Sequence, residues 1–411
     1  MTDAVVADAL ATVHRREWAR IVASLVRRFR DLDIAEEAAA EAFAAAVERW
    51  PADGIPANPG GWLTTTATRK AIDRLRREWR RDEKHQEARL LYDEDTPSSP
   101  GVIDDDRLRL IFTCCHPALA PDARIALTLR MVGGLTVPEI AHAFLVQESA
   151  MGRRITRAKA KIRANHVPYR IPAAADLPGR LGGVLSVLFL IFNEGYLATG
   201  ATTDPVRADL TAQAVRLTRL TRELVPGDGE VAGLLALMLL IEARQAARIS
   251  AGGELVTLAE QDRSLWDAAP IAEGHGLVRE RRAAVAAGDG PPGRFQLLAA
   301  INAVHTYAGD AADTDWFQVV ALYDRLVRID PSPVVALNRA VAVAEVDGPE
   351  VGLALIEGLP LDGYHAFHAT RADLLRRAGR PHEARAAYDR AIELAGNAAE
   401  SAYLTHRRST L

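Results

Sequence analysis

The 411-residue chain has only two cysteines, Cys114 and Cys115, and they are adjacent. Neighbouring cysteines rarely bridge each other, so there is no disulfide framework, and a reducing compartment is expected. With His116 they spell Cys-Cys-His, but a zinc site wants ligand pairs spaced to converge, with a second pair elsewhere. The trio reads as packed helix, and no metal or cofactor is expected. Long apolar stretches are also missing, none reaching the ~18 residues that span a bilayer. The opening MTDAVVADAL carries acids and no basic segment, which argues against a secretory signal. A cytoplasmic protein with no membrane partner is the expectation. Catalytic signatures are absent as well: there is no glycine-rich phosphate loop, no H-E-x-x-H and no nucleophile elbow. His275 and His305 stand alone, as structural histidines do. An enzyme is not expected.

Strand-like alternation is lacking too, whereas alanine, leucine and arginine abound and apolar residues recur at three- and four-residue spacing. This predicts an all-α fold. Hydrophobic residues make up 49% and charged residues 25% of the chain, enough apolar material for real cores. The length predicts two or three domains. The net charge of −4 is uneven. Residues 1–170 carry 27 lysines and arginines against 24 acids, and residues 171–411 carry 23 against 30. The basic residues that matter are those that cluster.

Composition divides the chain. A first helical domain covers 8–84, with a loop expected at the Pro- and Gly-rich stretch 51–59. Residues 85–106 hold Asp93-Glu94-Asp95 and Asp104-Asp105-Asp106 around a Thr-Pro-Ser-Ser-Pro-Gly segment and read as a linker. A second helical domain spans 107–168, and prolines 168, 172 and 178 mark the next boundary. The larger region 179–411 is helical again. In its last hundred residues, Ala372, Ala384, Tyr388 and Ala391 have the spacing of a tetratricopeptide repeat. Ala340, Gly352 and Ile356 reproduce the 12- and 4-residue separations one unit earlier, and a unit with Tyr323 and Leu326 precedes them. A helical solenoid with a protein or peptide partner is expected. Asn193 and Glu194, inside an apolar helix, read as a structural polar pair.

The segment Gly134–Arg163 carries the clearest chemistry. Thr136 is a natural N-cap, Pro138 suits the first turn and Glu139 stands three after the cap. Ile140, Ala141 and Phe144 give this helix one packing face. A turn at Leu145-Val146-Gln147 leads to a second helix starting near Glu148, with Met151 and Ile155 inward and arginines on other faces. This is a helix-turn-helix pattern, although glycine is more usual where Leu145 stands; its second helix enters the major groove. By reach, Gln147, Ser149, Arg153 and Arg154 meet base edges. Arg157, Lys159, Lys161 and Arg163 neutralise phosphates.

A second basic helix runs from Gly61 to Glu78. Trp62, Leu63, Ala67, Ala71 and Leu75 trace a buried stripe, while Arg69, Lys70, Arg74, Arg76 and Arg77 leave a basic surface. Arginines and an aromatic beside a loop suit single-stranded DNA.

In this order the two segments resemble the extracytoplasmic-function sigma factors of the sigma-70 family. The resemblance implies a promoter-opening domain, a linker and a promoter-reading domain that act on core RNA polymerase and promoter DNA. Residues Asp33–Phe43 look like the helix that grips the polymerase clamp, which assigns Asp33, Glu37, Glu41 and Phe43 to polymerase binding. Ala40 stands where that family often has glutamine. Trp62 through Leu75 match the next family helix, which assigns Trp62, Thr68, Arg69, Lys70, Arg74 and Arg77 to the melted −10 strand. The family often has asparagine where Arg69 stands. Residues 108–163 match the domain that reads the −35 element. Phe112–Leu119, Leu190–Tyr196, Gln261–Asp267 and Pro333–Ala340 look like a subgroup with a long tetratricopeptide-like extension, implied to regulate in cis. The competing class is a repeat-containing helix-turn-helix regulator that leaves the sigma subunit in place.

Overall fold

The computed structural model describes residues 3–81, 106–144, 146–173, 175–196, 208–250, 255–396 and 398–411. The acidic linker, Asp106 apart, and Leu145 of the turn lie outside the described residues. Helices form the architecture throughout, and an isolated bridge between Ile249 and Leu255 is the only β pairing among the described residues. The fold is all-α, as the spacing predicts. Two compact units divide at Leu190 and Ile191.

The first unit begins with α1 (Asp3–Phe29), α2 (Leu32–Asp53) and α3 (Pro59–Arg81). Asp31 caps α2, its carboxylate accepting from the Asp33 and Ile34 amides at 2.7 and 3.0 Å, which satisfies two of the N–H groups a helix start leaves open. Ala35, Ala38, Ala39, Ala42 and Ala46 are buried along α2, and such small side chains let neighbouring helices approach closely. Trp50 is 1% exposed and meets Trp62 edge to face, ring centroids 5.6 Å apart. The expected loop at 51–59 is shorter than predicted, because α2 runs through Pro51 to Asp53. Pro51 has no N–H to give the Val47 carbonyl, and the helix goes on only to Asp53 before Gly54, at φ 84°, ends it by donating to the Trp50 carbonyl.

Next come α4 (Asp106–Cys114), α5 (Pro121–Thr128), a π-helical turn (Leu129–Gly133), α6 (Val137–Ala143), α7 (Glu148–Ala164) and α8 (Leu177–Tyr196). Cys114 and Cys115 are buried thiols. Burial pushes Cys115 up to about 11, against the pull of the Thr128 hydroxyl 3.4 Å away. Against the sequence expectation, α8 is long and apolar enough to cross a membrane by length and composition. Arg180 and Glu194 interrupt its apolar run, which is why counting uninterrupted residues passed over it. Val184, Leu185, Val187, Leu188, Ile191 and Phe192 on this helix are buried in protein. Asn193, expected as half of an internal polar pair, is exposed.

The second unit contains α9 (Ala208–Leu224), α10 (Gly229–Glu242), α11 (Ala268–Ala286), α12 (Arg294–Tyr307), α13 (Trp316–Ile329), α14 (Pro333–Asp347), α15 (Pro349–Ile356), α16 (His365–Arg377), α17 (Pro381–Leu394) and α18 (Ala398–Ser409). Val231 through Leu240 are buried without a break, so α10 is apolar all round and serves as the central post of its bundle. A Cβ on Gly233 would lie 2.5 Å from the Gln296 backbone nitrogen. Only glycine fits where α10 meets α12 this closely. Further on, Ala340 and Ile356 share one apolar cluster, and Ala372, Ala384, Tyr388 and Ala391 share another. The small residues singled out by their spacing therefore sit at helix–helix contacts.

Candidate nucleic-acid interface

The helix-turn-helix begins with a reciprocal cap. The Thr136 amide donates to the Glu139 carboxylate at 2.6 Å, and the Glu139 amide donates to the Thr136 hydroxyl at 3.3 Å. This capping box fixes the start of α6. Along α7, Met151, Ile155, Ala158 and Ile162 are buried, at the spacing that keeps one helical face on the core. Gln147, Ser149, Arg153, Arg157 and Lys161 are exposed on the remaining surface. Arg157 donates to the Arg153 carbonyl at 3.3 Å. Arg154 is partly covered, 3.8 Å from Asp122. No ion pair among the described residues engages Arg153, Arg157 or Lys161, so these cations face solvent with their charge uncompensated.

The C-terminal half of α7 does something different. Lys159, expected on phosphate, is 7% exposed. Its ammonium hydrogen-bonds the Asp33 carboxylate at 2.9 Å and also the Glu36 carboxylate. Arg163 donates to Asp31 at 3.0 Å and to Asp33 at 2.8 Å. Arg130, from the π-helical turn, donates to Glu36 at 2.5 Å and to the Leu135 carbonyl at 2.8 Å. In this arrangement Lys159 and Arg163 are held at the acidic start of α2, their charges met by Asp31, Asp33 and Glu36. Burial works against the charge of Asp33, but the hydrogen bonds and charges of Lys159 and Arg163 hold its carboxyl below the ordinary aspartate range.

An apolar seam continues this contact. Trp18 is 3% exposed, and its indole N–H lies 3.2 and 3.1 Å from the Arg130 and Met131 carbonyls. Those carbonyls lie in the last turn before Gly134, at φ 79°, where intrahelical donors run out. The Tyr169 hydroxyl lies 2.9 Å from both the Ala23 and Asp106 carbonyl oxygens.

On α3, Leu63, Ala67 and Ala71 are fully buried, while Trp62 and Thr68 are half-buried and Arg69 and Arg77 are exposed. Arg74 pairs with Glu37, and Lys70 stands 3.6 Å from Glu41. The acids expected to grip polymerase and the bases expected near melted DNA therefore face each other across α2 and α3. Phe43 is 8% exposed, its ring 4.7 Å from His14 and 5.9 Å from Trp18; any effect it has on a partner runs through packing.

Residues 14–81 match Sigma-70 region 2, and residues 109–162 match Sigma-70, region 4. The chain belongs to the sigma-70 family. Beyond these regions, residues 180–282 match a family of unknown function, DUF6596. The uncharacterized protein R00370 of Rhizobium meliloti (strain 1021) is 44% identical over 417 residues, covering 98% of this chain and 95% of that protein. The ECF RNA polymerase sigma factor SigK of Mycobacterium ulcerans (strain Agy99) is 26% identical over 163 residues, 38% of this chain and 84% of that protein. The probable ECF RNA polymerase sigma factor SigI of Mycobacterium tuberculosis (strain ATCC 25618 / H37Rv) is 25% identical over 200 residues, 46% of this chain and 68% of that protein. No solved structure matches.

Within this sigma-70 chain, region 2 holds α1–α3 and region 4 holds α4–α7. Sequence reasoning passed over three residues that join them: Asp31, Glu36 and Arg130. One signal was available for Arg130, a single cation inside the apolar run Ile125–Val132, since a charge placed there needs a partner.

Proposed function

We propose that the protein is an RNA polymerase sigma factor, a non-enzymatic subunit that brings core polymerase to promoters and starts transcription. The observation that carries this reading is the pairing, in one chain, of a region 2 helical bundle with a region 4 helix-turn-helix whose second helix exposes Gln147, Ser149, Arg153, Arg157 and Lys161. The exposed start of α7 suits base edges, where arginine bonds guanine at two atoms. Arg157 and Lys161 lie further along and suit phosphates. On α3, Trp62, Thr68, Arg69, Lys70, Arg74 and Arg77 would line the path of melted strand, with the aromatic offering a stacking face. Glu37 and Glu41, together with Asp33, would meet the polymerase clamp. Two small domains bind promoter DNA weakly alone, and polymerase supplies avidity by holding both at once.

The domains take the boundaries 8–84, 107–168 and 179–411. The last acts as a helical, tetratricopeptide-like regulatory extension that binds a protein or peptide; Phe317, 76% exposed on α13, supports a docking role. The whole protein works in the cytoplasm, where polymerase is.

Reconstitution of the full chain with core polymerase and mapping of transcript starts tests the reading. Discrete starts that depend on two promoter blocks are expected; a protein that binds duplex DNA yet never associates with core would overturn it. Repeating the assay without the second unit tests the extension, and unchanged initiation would remove its regulatory role.

A further inference from the structure

We propose that the second unit holds a binding site for a small organic carboxylate bearing a hydroxyl or amino group, built on Arg244, Arg248 and Arg263. The site gives the extension a ligand of its own and does not depend on the sigma-factor reading.

Ion pairs in the second unit sit on its outer arginines. Arg219 meets Glu273 at 2.5 Å, Arg222 meets Glu280 at 2.9 Å and Arg339 meets Asp324 at 2.6 Å. Arg244 and Arg248 are only 6% and 7% exposed, yet neither forms an ion pair among the described residues, and neither does Arg263. Neutral groups hold all three. Arg244 donates to the Leu240 carbonyl at 3.1 Å and to the Asn302 side-chain oxygen at 2.9 Å. Arg248 donates to the Tyr196 carbonyl at 2.5 Å, its guanidinium 3.5 Å from the centroid of the Tyr196 ring. Arg263 donates to the His305 and Ala308 carbonyls at 2.8 and 2.7 Å and lies over Trp266, 4.4 Å from the ring centroid. A guanidinium has five N–H groups, so each arginine keeps donors to give.

Their charges reach one another. Burial first, and then Arg248 and Arg263 against the opposing pull of Tyr196, hold the Arg244 guanidinium below its ordinary pKa. His305 is pushed down to about 4 by burial and then by Arg244 and Arg263. Two acids, Glu400 and Glu242, act on Arg248 from beyond ion-pair distance. Both are engaged elsewhere: Glu400 lies 3.0 Å from His365, and Glu242 accepts from the Thr211 hydroxyl at 2.8 Å. Positive charge therefore collects here without a bonded counter-charge.

The unpartnered atoms define the ligand. The Trp266 indole N–H and the Gln245 amide N–H are buried donors with no hydrogen-bond partner. The Asp267 amide donates to the Ala243 carbonyl at 2.8 Å, which brings Trp266 to the end of α10 where Arg244 begins. A carboxylate accepts two parallel N–H bonds from one guanidinium, and seating it here relieves a charge that is costly to bury unpaired. Two buried acceptors, Glu242 Oε2 and Gln261 Oε1, also lack partners. They suit a hydroxyl or amino group on the same molecule, which inorganic phosphate does not offer. Depth selects for size. Arg263 and Trp266 are half-buried whereas Arg244 and Arg248 are buried, so a small molecule can meet all three arginines and a protein surface cannot. Two segments that regions 2 and 4 leave unused converge here: Leu190–Tyr196 brings Tyr196, and Gln261–Asp267 brings Gln261, Arg263 and Trp266. All three arginines fall within 180–282, the stretch that matches the family of unknown function.

The test titrates L-malate, L-glutamate, succinate and inorganic phosphate into the full-length protein without polymerase, followed by calorimetry and by the indole N–H resonances. L-Malate or L-glutamate is expected to bind with Kd below about 1 mM, more tightly than succinate or phosphate, and to shift the Trp266 signal, which Trp266→Phe assigns. Arg244→Gln and Arg263→Gln are expected to weaken that binding at least tenfold, and Arg339→Gln to leave it unchanged. Arg263 is half-buried, so its variant decides the matter if Arg244→Gln fails to fold. Absence of binding to the wild type, undiminished binding to Arg263→Gln, or phosphate as the tightest ligand would each overturn the site. None of these outcomes touches the sigma-factor reading, which is tested with core polymerase.

Discussion

A lysine on a helix with five other basic residues reads as solvent-facing, because an unpaired ammonium is costly to bury. Lys159 is buried nonetheless, and the reason lies on a different helix, in Asp33 and Glu36. Nothing within α7 distinguishes it from Lys161, which is exposed. Thr136 is the opposite case: its cap is local, three residues from Glu139, and was legible from spacing alone. Thr136→Ala removes the hydroxyl arm of that box, keeps the backbone arm to Glu139, and should cost region 4 about 1 kcal/mol in denaturant unfolding. His305 gives a pH prediction at the same scale. Burial first, then Arg244 and Arg263, push it down to about 4 from 6.5. The folded unit therefore refuses a proton that the unfolded chain accepts. Stability is full above pH 6.5 and falls as pH drops from 6.5 toward 4, by at most about 3 kcal/mol. Thermal melts of wild type and His305→Gln across that range should differ in slope, with the variant flatter.

Whole helices were easier to read than single side chains, because one helical face is a repeated statement. The start of α7 near Glu148 and its inward Met151 and Ile155 were plain in the sequence, as were Leu63, Ala67 and Ala71 on α3. The end of α2 was not, since proline usually stops a helix and here stands in its last turn. Phe43 sits at a position resembling a partner contact, yet packs on His14 and Trp18; residue type and spacing do not reveal which side of a short helical bundle an aromatic faces. Division of labour along α7 yields a second prediction. Arg153→Ala should cost about 1–3 kcal/mol at one promoter position and relax its specificity, whereas Lys161→Ala should weaken all sequences alike and lower the salt slope by about one. Competition binding of holoenzyme to a promoter library at several salt concentrations separates the two; identical profiles would contradict the assignment. In the second unit, Gly233→Ala drives a methyl into the Gln296 backbone. The two helices must part, at about 1–3 kcal/mol, which calorimetry of the full protein should show as an earlier transition.

At the scale of the molecule, an all-α chain with sigma regions 2 and 4 and a long helical extension was visible in composition, boundaries and motif order. What pattern could not supply was that regions 2 and 4 touch, because the ions that join them are brought together only by folding. The region 2 bundle and the exposed basic surface of α7, present in one chain, carry the proposed function, in which both act through polymerase. Core polymerase mixed with the full-length protein on a promoter library is the most direct measurement. Transcripts starting at discrete positions, abolished by mutations in two separate promoter blocks and absent with core alone, are predicted. Core that neither binds the protein nor initiates with it would contradict the account.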